Sequence, residues 1–205
     1  MLVPIVQVGE PVLRQKARAL RPNEIRSKEV RELIAHMKET MHAAPGVGLA
    51  APQIGRNLQL AVIEDLPDYT KDWTPEQRAA REREAIPFHV IINPKLTLLG
   101  DERIEFFEGC LSLTNLMAMV PRARKVRVEC LDEKGQPQVI EASGWHARIL
   151  QHEIDHLQGT VFVDRMYPRT LMTVDNYKKL WLAKTMEEIK AELKAFPRIH
   201  ADERG

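Results

Sequence analysis

The stretch QHEIDHLQGTVF, residues 151–162, decides how the rest of the chain has to be arranged. On a helix, His152 and His156 project from one face one turn apart, which is close enough for both imidazoles to bind one cation. Glu153 is rotated about 100° from His152, so its carboxylate is placed to touch a water on the cation instead of the cation itself. Two imidazoles hold a catalytic metal poorly, so either the fold brings a third ligand to this helix or the pattern is coincidental.

The third ligand has to come from another part of the chain. Gly159 fits the longer zinc-peptidase pattern H-E-x-x-H-x-x-G-x-x-H, but Phe162 stands where that pattern has its third histidine. The downstream acids Glu187 and Glu188 lie opposite an apolar stripe, which is typical of a solvated helix face. Cys110 is the better candidate, because a thiolate and two imidazoles make a three-ligand site with one open position.

The composition is that of an ordinary soluble domain. The chain has 205 residues, of which 44% are hydrophobic and 29% are charged, with a formal net charge of +1. This length fits one domain with a sizeable core. A net charge near zero provides no global field for nucleic acid, and no apolar run approaches the roughly 18 residues of a membrane span. We therefore expect neither a DNA partner nor a membrane partner.

The N-terminus and the cysteines bear on location. The opening residues MLVPIVQVGEPVL have neither a basic segment before an apolar run nor the Arg- and Ser-rich composition of a transit peptide. This predicts a cytoplasmic protein, although a processed organellar form would look the same. Cys130 lies in an alternating strand pattern and is predicted to be a core residue. A disulfide between Cys110 and Cys130 is not expected in a chain without a secretory signal.

Apolar periodicity predicts helices and strands in mixed order. Helices are expected at 27–41, 74–85, 143–159 and 174–196. Strands are expected at 58–64, 88–94, 103–108, 125–132 and 137–143, with the last two joined by a turn at EKGQ as a hairpin. Because strands and helices do not alternate regularly, the pattern favours an α+β fold over a doubly wound sheet.

The segment 65–87 is an insertion between the first two predicted strands. In its helix, Thr74 would be the N-cap, Pro75 the first helical residue and Gln77 the partner of Thr74 in a capping box. The many charges of this segment predict a solvated face.

Three segments, in this order and at these separations, resemble the motifs of peptide deformylases: GVGLAAPQIG (46–55), EGCLS (108–112) and QHEIDH (151–156). The similarity covers roughly residues 8–176, and the insertion together with SGWHARILQHE is similar to the organellar-type branch, which some bacteria also carry. The resemblance implies an α+β fold with mixed, mainly antiparallel sheets packed around a central metal-binding helix. It also implies a catalytic domain at 1–176. Residues 177–205 have no secure counterpart in the family and are predicted to be a C-terminal helical extension.

The resemblance further implies a role for individual residues. Cys110, His152 and His156 would bind one Fe2+ per chain, with Zn2+, Ni2+ or Co2+ as substitutes. Glu153 would be the general base, while the Gln53 amide and the Leu111 N–H would hold the oxyanion. The residues implied in substrate binding are Val47, Gly48, Gly109, Trp145, Arg148 and Ile149.

The activity that the resemblance implies is removal of the formyl group from formyl-methionine at the N-terminus of new polypeptides. The partners would be formyl-methionyl nascent chains, at or near the ribosome. Lysines near the C-terminus could attract ribosomal RNA, but Glu187, Glu188 and Glu192 dilute their charge, so a solvated or packing helix is the favoured interpretation. One departure from the family pattern is Met117, which stands where many bacterial members carry an arginine beside the substrate backbone.

Two rival functions would use the same helix. A zincin-like metallopeptidase would apply the same base to internal peptide bonds, but Cys110 and the missing downstream histidine argue against it. A non-catalytic structural metal site would need a fourth protein ligand. His146 does not supply one, because it lies six residues before His152 and faces elsewhere.

Two further assignments have alternatives on sequence alone. Glu108 and Arg122 are either a pair that holds the Cys110 strand in place or an incidental surface pair. Arg148 is either a pocket residue or a charge on the helix surface.

Overall fold

The structure is a computed structural model that describes residues 1–195 as one six-stranded sheet with helices packed on it. The strands are β1 (Gly48–Ala50), β2 (Leu60–Asp65), β3 (Ile86–Cys110), β4 (Leu113–Leu131), β5 (Pro137–Ser143) and β6 (Met172–Thr173). The helices are α1 (Pro22–Ile25), α2 (Lys28–Ala43), α3 (Pro75–Ala80), α4 (Gly144–Leu157), α5 (Val174–Leu180) and α6 (Met186–Ala195). None of these helices is long and apolar enough to cross a membrane.

The sheet is antiparallel throughout, in the order β1-β2-β3-β4-β5, with β6 paired to β4. The predicted hairpin between 125–132 and 137–143 is confirmed, because β4 and β5 pair from Lys125 to Leu131. Its turn is closed by the Asp132 carboxylate, which accepts hydrogen bonds from two backbone N–H groups, and by Gly135 at φ 76°. This positive φ is one that glycine adopts at no steric cost.

Strand β3 differs from the prediction. The segments 88–94 and 103–108 were expected as separate strands, but both belong to β3, which pairs with β4 from Ile92 to Cys110. The register shifts between Ile92 and Lys95 and again between Leu99 and Arg103. Such irregularities bend a long strand without ending it. Because they interrupt the alternation of apolar and polar residues, one bent strand has the sequence pattern of two separate strands.

Helix α4 lies at the centre of the fold and contacts all of the strands from β1 to β5. Its apolar residues are among the most buried of the chain, with Ala147, Leu150 and Leu157 each fully buried. The predicted α+β class, with an antiparallel sheet around a central helix, is thereby confirmed. The motif that begins at Gln151 is carried by this helix.

Side-chain caps are present at the starts of two helices, of which the one at α3 was predicted. Ser27 precedes α2, and its hydroxyl accepts a hydrogen bond from the Val30 N–H at 3.2 Å. Thr74 and Gln77 form the predicted capping box at the start of α3. Side chain to backbone bonds of this kind satisfy N–H groups that have no partner inside the helix.

The last predicted helix, 174–196, is wrong as a single element. It is divided into α5 and α6, and its final residue, like the rest of 196–205, lies outside the described residues. A new helix start causes the break, because the Thr185 hydroxyl accepts from the Glu188 N–H and the Glu188 carboxylate accepts from the Thr185 N–H. Leu182 lies in the break and is 37% exposed.

Candidate metal centre

The structure brings the three predicted ligands together. The ligand atoms of Cys110, His152 and His156 all lie within 4.8 Å of one another, and the Cys110 Sγ is 3.3 Å from the His156 Nε2. Cys110 ends β3, while both histidines stand on α4. The sheet therefore carries the thiol to the helix that carries the imidazoles.

The donor set fits a transition-metal ion. Thiolate and imidazole together suit Zn2+ and Fe2+, and three protein ligands leave a position open for water or substrate. His152 uses its Nδ1 to contact the Glu108 carboxylate at 3.0 Å, which leaves its Nε2 for the cluster. A carboxylate behind a ligating histidine fixes the ring orientation in this way in many metal sites.

The electrostatics of the cluster favour a positive charge. Burial alone would lower the pKa of His152, but hydrogen bonds to Cys110 and Glu108 raise it well above its usual value. The pKa of His156 is instead lowered well below its usual value, chiefly by burial and then by the charge of His152. Without a metal, His152 is therefore protonated more readily than His156, and a bound metal ion would have to displace that proton.

Glu153 is buried next to the cluster and lacks a full set of partners. It is 3% exposed, and its Oε2 has no hydrogen-bond partner among the described residues. Burial raises the pKa of this carboxyl to about 7, against the opposing charge of His152. A carboxyl group with a pKa near neutrality can both accept and donate a proton.

Gly48 makes room for that carboxyl. A Cβ atom at this position would lie 2.6 Å from the Glu153 carboxyl carbon, which is closer than side chains approach each other. Any other residue at 48 would therefore displace Glu153. The close approach explains a glycine in strand β1, where glycine otherwise weakens pairing.

Gln53 directs its amide group at the cluster. Its Oε1 accepts a hydrogen bond from the Ala50 N–H at 2.8 Å, so the amide orientation is set by the backbone. The NH2 end then points to the Cys110 Sγ at 3.5 Å and to the Ser112 hydroxyl at 3.3 Å. The side chain is 1% exposed and is thus held as a fixed donor.

Leu111 lies at the tip of the hairpin between β3 and β4. A side chain that the sequence analysis missed holds this tip, because the Gln7 amide donates to the Leu111 carbonyl at 3.0 Å. The same Gln7 accepts from the N–H and the hydroxyl of Thr114. Gln7 carries no sequence signal, since it lies 104 residues away in an irregular N-terminal segment.

A cavity of about 650 Å³ opens beside the cluster. Every residue that the sequence analysis placed in substrate binding lines it: Val47, Gly48, Gly109, Trp145, Arg148 and Ile149. Gln53, Cys110, Leu111, His152 and Glu153 line it as well. Its wall thus combines apolar side chains with a few convergent polar groups, as is usual for ligand sites.

The interpretation of Arg148 as a helix-surface charge is wrong. Arg148 is 3% exposed, pairs with Glu108 at 2.6 Å and donates to the Ile104 carbonyl at 2.6 Å. The predicted pairing of Glu108 with Arg122 is confirmed by two bonds of 2.9 Å between their side chains. Glu108, a residue of β3, therefore contacts two arginines and His152, and these contacts connect the metal cluster on α4 with the sheet.

The insertion 65–87 is not only a solvated face, so that prediction is wrong for Arg83. The Arg83 guanidinium pairs twice with Asp65, at 2.7 and 3.0 Å, and it stacks on the Trp145 ring at 4.7 Å. The Trp145 indole N–H in turn donates to Asp65 at 3.0 Å. Arg83 lines the same cavity, so the insertion helps to form its rim.

Comparison with known proteins identifies a family. The sequence profile described as polypeptide deformylase matches residues 2–171. Peptide deformylase 1A, chloroplastic, from Solanum lycopersicum is 46% identical over 172 residues, which are 84% of this chain and 62% of that protein. Peptide deformylase 1 from Streptomyces coelicolor is 43% identical over 182 residues, which are 87% and 80% of the two chains. This chain spans less than two thirds of the length of the plant relatives that it matches.

Solved structures agree with the sequence comparison. A Met-Ala-Ser-bound class I type b peptide deformylase from Acinetobacter baumannii superposes with a TM-score of 0.72 at 30% identity, covering 81% of this chain and 99% of that one. A peptide deformylase from Synechococcus elongatus in complex with actinonin gives 0.66 at 39% identity, with 80% and 78% covered.

Proposed function

The chain belongs to the polypeptide deformylase family, and from this premise we propose that it removes the N-formyl group from the formyl-methionine that begins newly synthesised polypeptides. The proposal rests on one observation: a cluster of metal-ligating side chains and a buried carboxyl group lie side by side at one cavity. The Cys110, His152 and His156 cluster can hold a metal ion, and the buried Glu153 carboxyl stands beside it as an acid or base. Metal-dependent hydrolysis of an amide uses both.

Each residue at the cavity has a part in the proposed reaction. When bound at the cluster, a divalent ion supplies Lewis-acid activation of water and of the formyl oxygen. Glu153 accepts a proton from the attacking water and later donates it to the leaving amine. The fixed NH2 group of Gln53 and the backbone N–H of Leu111 donate to the oxyanion as the formyl carbon becomes tetrahedral. Gln53 needs no reorganisation for this, because Ala50 already orients it.

The apolar side of the cavity suits a methionine side chain. Val47, Trp145 and Ile149 line it, and an unbranched thioether adapts to such a surface. The relative from Acinetobacter baumannii is described as bound to Met-Ala-Ser, the unformylated form of a formyl-methionyl peptide. That relative supports a substrate whose methionine enters the cavity and whose chain continues outward.

We propose Fe2+ as the native ion, one per chain, with Zn2+, Ni2+ or Co2+ as substitutes. A thiolate with two imidazoles accepts all of these metals, so the donor set alone does not select iron. Protein prepared anaerobically with iron should therefore be more active than the same protein after exposure to air. Equal activity of both preparations would count against ferrous catalysis.

The proposed substrate implies where the protein acts. Relatives include bacterial, chloroplast and mitochondrial proteins, and we propose a bacterial cytoplasmic enzyme or a processed organellar one. Nascent chains bring it near the ribosome. Two of the C-terminal lysines are paired, Lys184 with Glu192 and Lys190 with Glu105, which reduces their attraction for ribosomal RNA.

A turnover assay separates this proposal from the alternative, a zincin-like metallopeptidase. We expect formyl-Met-Ala-Ser to be deformylated, whereas a blocked peptide that offers only internal bonds is not cleaved. Glu153→Gln is the control, because it should remove the activity without removing the metal. Cleavage of the internal bonds at a comparable rate would favour the alternative.

A further inference from the structure

A second cavity, of about 800 Å³, lies apart from the metal cluster and is lined by different residues. Its wall is formed by the end of the insertion, the beginning of β3, the edge strand β5 and the first turn of α4. Two of its lining residues are histidines on different elements, His89 of β3 and His146 of α4. Neither takes part in the reaction proposed above.

The two rings are arranged like a pair of metal ligands. The His89 Nε2 and the His146 Nε2 are 3.4 Å apart. Two imidazole nitrogens bound at about 2.05 Å to one tetrahedral ion are separated by about 3.4 Å. The ring centroids are 5.2 Å apart at an interplanar angle of 75°, and the catalytic pair, His152 and His156, has nearly the same values, 5.0 Å and 78°.

The same geometry makes a poor hydrogen bond. The separation of 3.4 Å is longer than the usual range of roughly 2.7–3.2 Å for a nitrogen donor. A straight N–H···N bond of that length would also place the ring centroids about 5.7 Å apart, because each ring adds its own radius. The observed 5.2 Å is shorter, so the line between the two Nε2 atoms is not collinear with the two ring axes.

The protonation state of the pair is the one that a metal requires. The His89 Nδ1 contacts the Pro87 carbonyl at 2.9 Å and must carry a hydrogen to do so, so in the neutral ring the Nε2 presents a lone pair toward His146. Burial lowers the pKa of His89, and burial followed by the charge of His89 lowers the pKa of His146 to about 4. Both rings are therefore neutral at pH 7, as metal ligation demands.

We propose that His89 and His146 bind a second transition-metal ion of the Zn2+, Ni2+ or Cu2+ type, independent of the catalytic ion. The protein supplies two imidazoles and solvent in the cavity completes the coordination, so this site binds more weakly than the three-ligand cluster. An ion held there joins the beginning of β3 to the first turn of α4. That turn also carries Trp145, whose ring lines the catalytic cavity.

Zinc stoichiometry tests the proposal on the untagged full-length protein. We expect wild type to retain two ions per chain at equilibrium with Zn2+ in the tens of micromolar, and His89→Gln and His146→Gln to retain one. His36→Gln on α2 is the matched control and should retain two. Turnover of formyl-Met-Ala-Ser by both site variants within about twofold of wild type would verify that they are folded.

Two outcomes would overturn the proposal. Wild type that saturates at one zinc per chain would show that the pair is a hydrogen bond only. A second ion that persists in both His89→Gln and His146→Gln would place it elsewhere on the chain.

Discussion

Glu153 separates metal binding from chemistry at the level of a single residue. The cluster of Cys110, His152 and His156 does not include its carboxyl, so Glu153→Gln should keep the metal and the fold. The change removes the proton acceptor, a role worth roughly 10² to 10⁴ in rate. We therefore expect kcat to fall by at least that order with KM changed little, as measured beside the metal content. Loss of the metal in this variant would make Glu153 a ligand and Cys110 a wrong assignment.

The same carboxyl should leave a signature in stability. Its pKa of about 7 in the folded chain lies above the roughly 4.3 of an unfolded glutamate. A group whose folded pKa is raised supports the fold fully below the unfolded pKa and loses that support as pH rises through the folded value. In metal-free protein, wild type should therefore lose up to on the order of 3 kcal/mol between pH 4 and pH 8 that Glu153→Gln does not lose.

Urea unfolding of the two metal-free proteins at several pH values measures this difference. The free energies of unfolding should diverge with rising pH, in favour of the glutamine variant. A gap that stays constant from pH 4 to pH 8 would mean that the carboxyl is not desolvated.

The two cysteines provide a matched pair of variants. Cys110→Ser should lose most of the bound metal, because a hydroxyl does not replace a thiolate ligand. Cys130 is 7% exposed inside a core cluster and does not belong to the ligand group, so Cys130→Ser should keep the metal and lower only the melting temperature. Metal analysis after dialysis decides the matter, and normal metal content in both variants would remove Cys110 from the site.

For single residues, the sequence predicted the metal ligands better than the side chains that surround them. The spacing of His152 and His156 follows from helix geometry alone, so their approach could be predicted without a fold. The burial of Arg148 against Glu108 depends on a helix and a strand that are 40 residues apart in the sequence. No local pattern carries that information.

Among the larger elements, the insertion 65–87 departs most from its prediction as a solvated charged face. Its charges are typical of a solvated face, yet Arg83 is drawn to Asp65, which is 2% exposed and already accepts the Trp145 indole N–H. A buried carboxylate needs a partner of opposite charge. Asp65 is buried by residues distant in the sequence, so its need for a cation cannot be predicted from the periodicity of the insertion.

Arg83→Ala should therefore act on the cavity. Without the guanidinium, the Trp145 ring loses a stacking partner and Asp65 loses its cation, so we expect KM for formyl-Met-Ala-Ser to rise several-fold with a smaller change in kcat. Arg81→Ala is the control, because Arg81 stacks on Trp73 at 4.8 Å and does not line the cavity. Equal effects of the two substitutions on KM would show that the insertion acts on stability alone.

The strands show a second limit of pattern reasoning. Alternation at 125–132 and 137–143 predicted the β4–β5 hairpin, because in both segments every second residue is the more buried one. The first half of β4, from Leu113 to Arg124, was missed since many of its residues are buried regardless of alternation. Strand β1 was missed because its three residues lie in a stretch rich in glycine and proline.

At the scale of the whole molecule, the C-terminal elements are joined to the core. Trp181 is 6% exposed and Ile189 is 1% exposed, and both pack in a cluster with Phe107 and Met119 of the sheet. Phe107 immediately precedes Glu108, the carboxylate behind His152. The domain boundary at 176 stays a prediction. Residues beyond it, Trp181 and Ile189, pack on Phe107, which is bonded in the chain to the residue that contacts the metal ligand His152.

Truncation after Asn176 should therefore lower both stability and turnover, because it exposes Phe107 and Met119. A point substitution isolates the cause: Trp181→Ala leaves a large cavity in that cluster and should cost about 3–5 kcal/mol in the free energy of unfolding. Leu182→Ala, at a neighbouring position that is 37% exposed, should cost under about 1 kcal/mol. Urea unfolding and the turnover of formyl-Met-Ala-Ser test the three proteins together. If Trp181→Ala and Leu182→Ala proved equally stable, and the truncated chain kept full activity, α5 and α6 would be an independent extension and not part of the core.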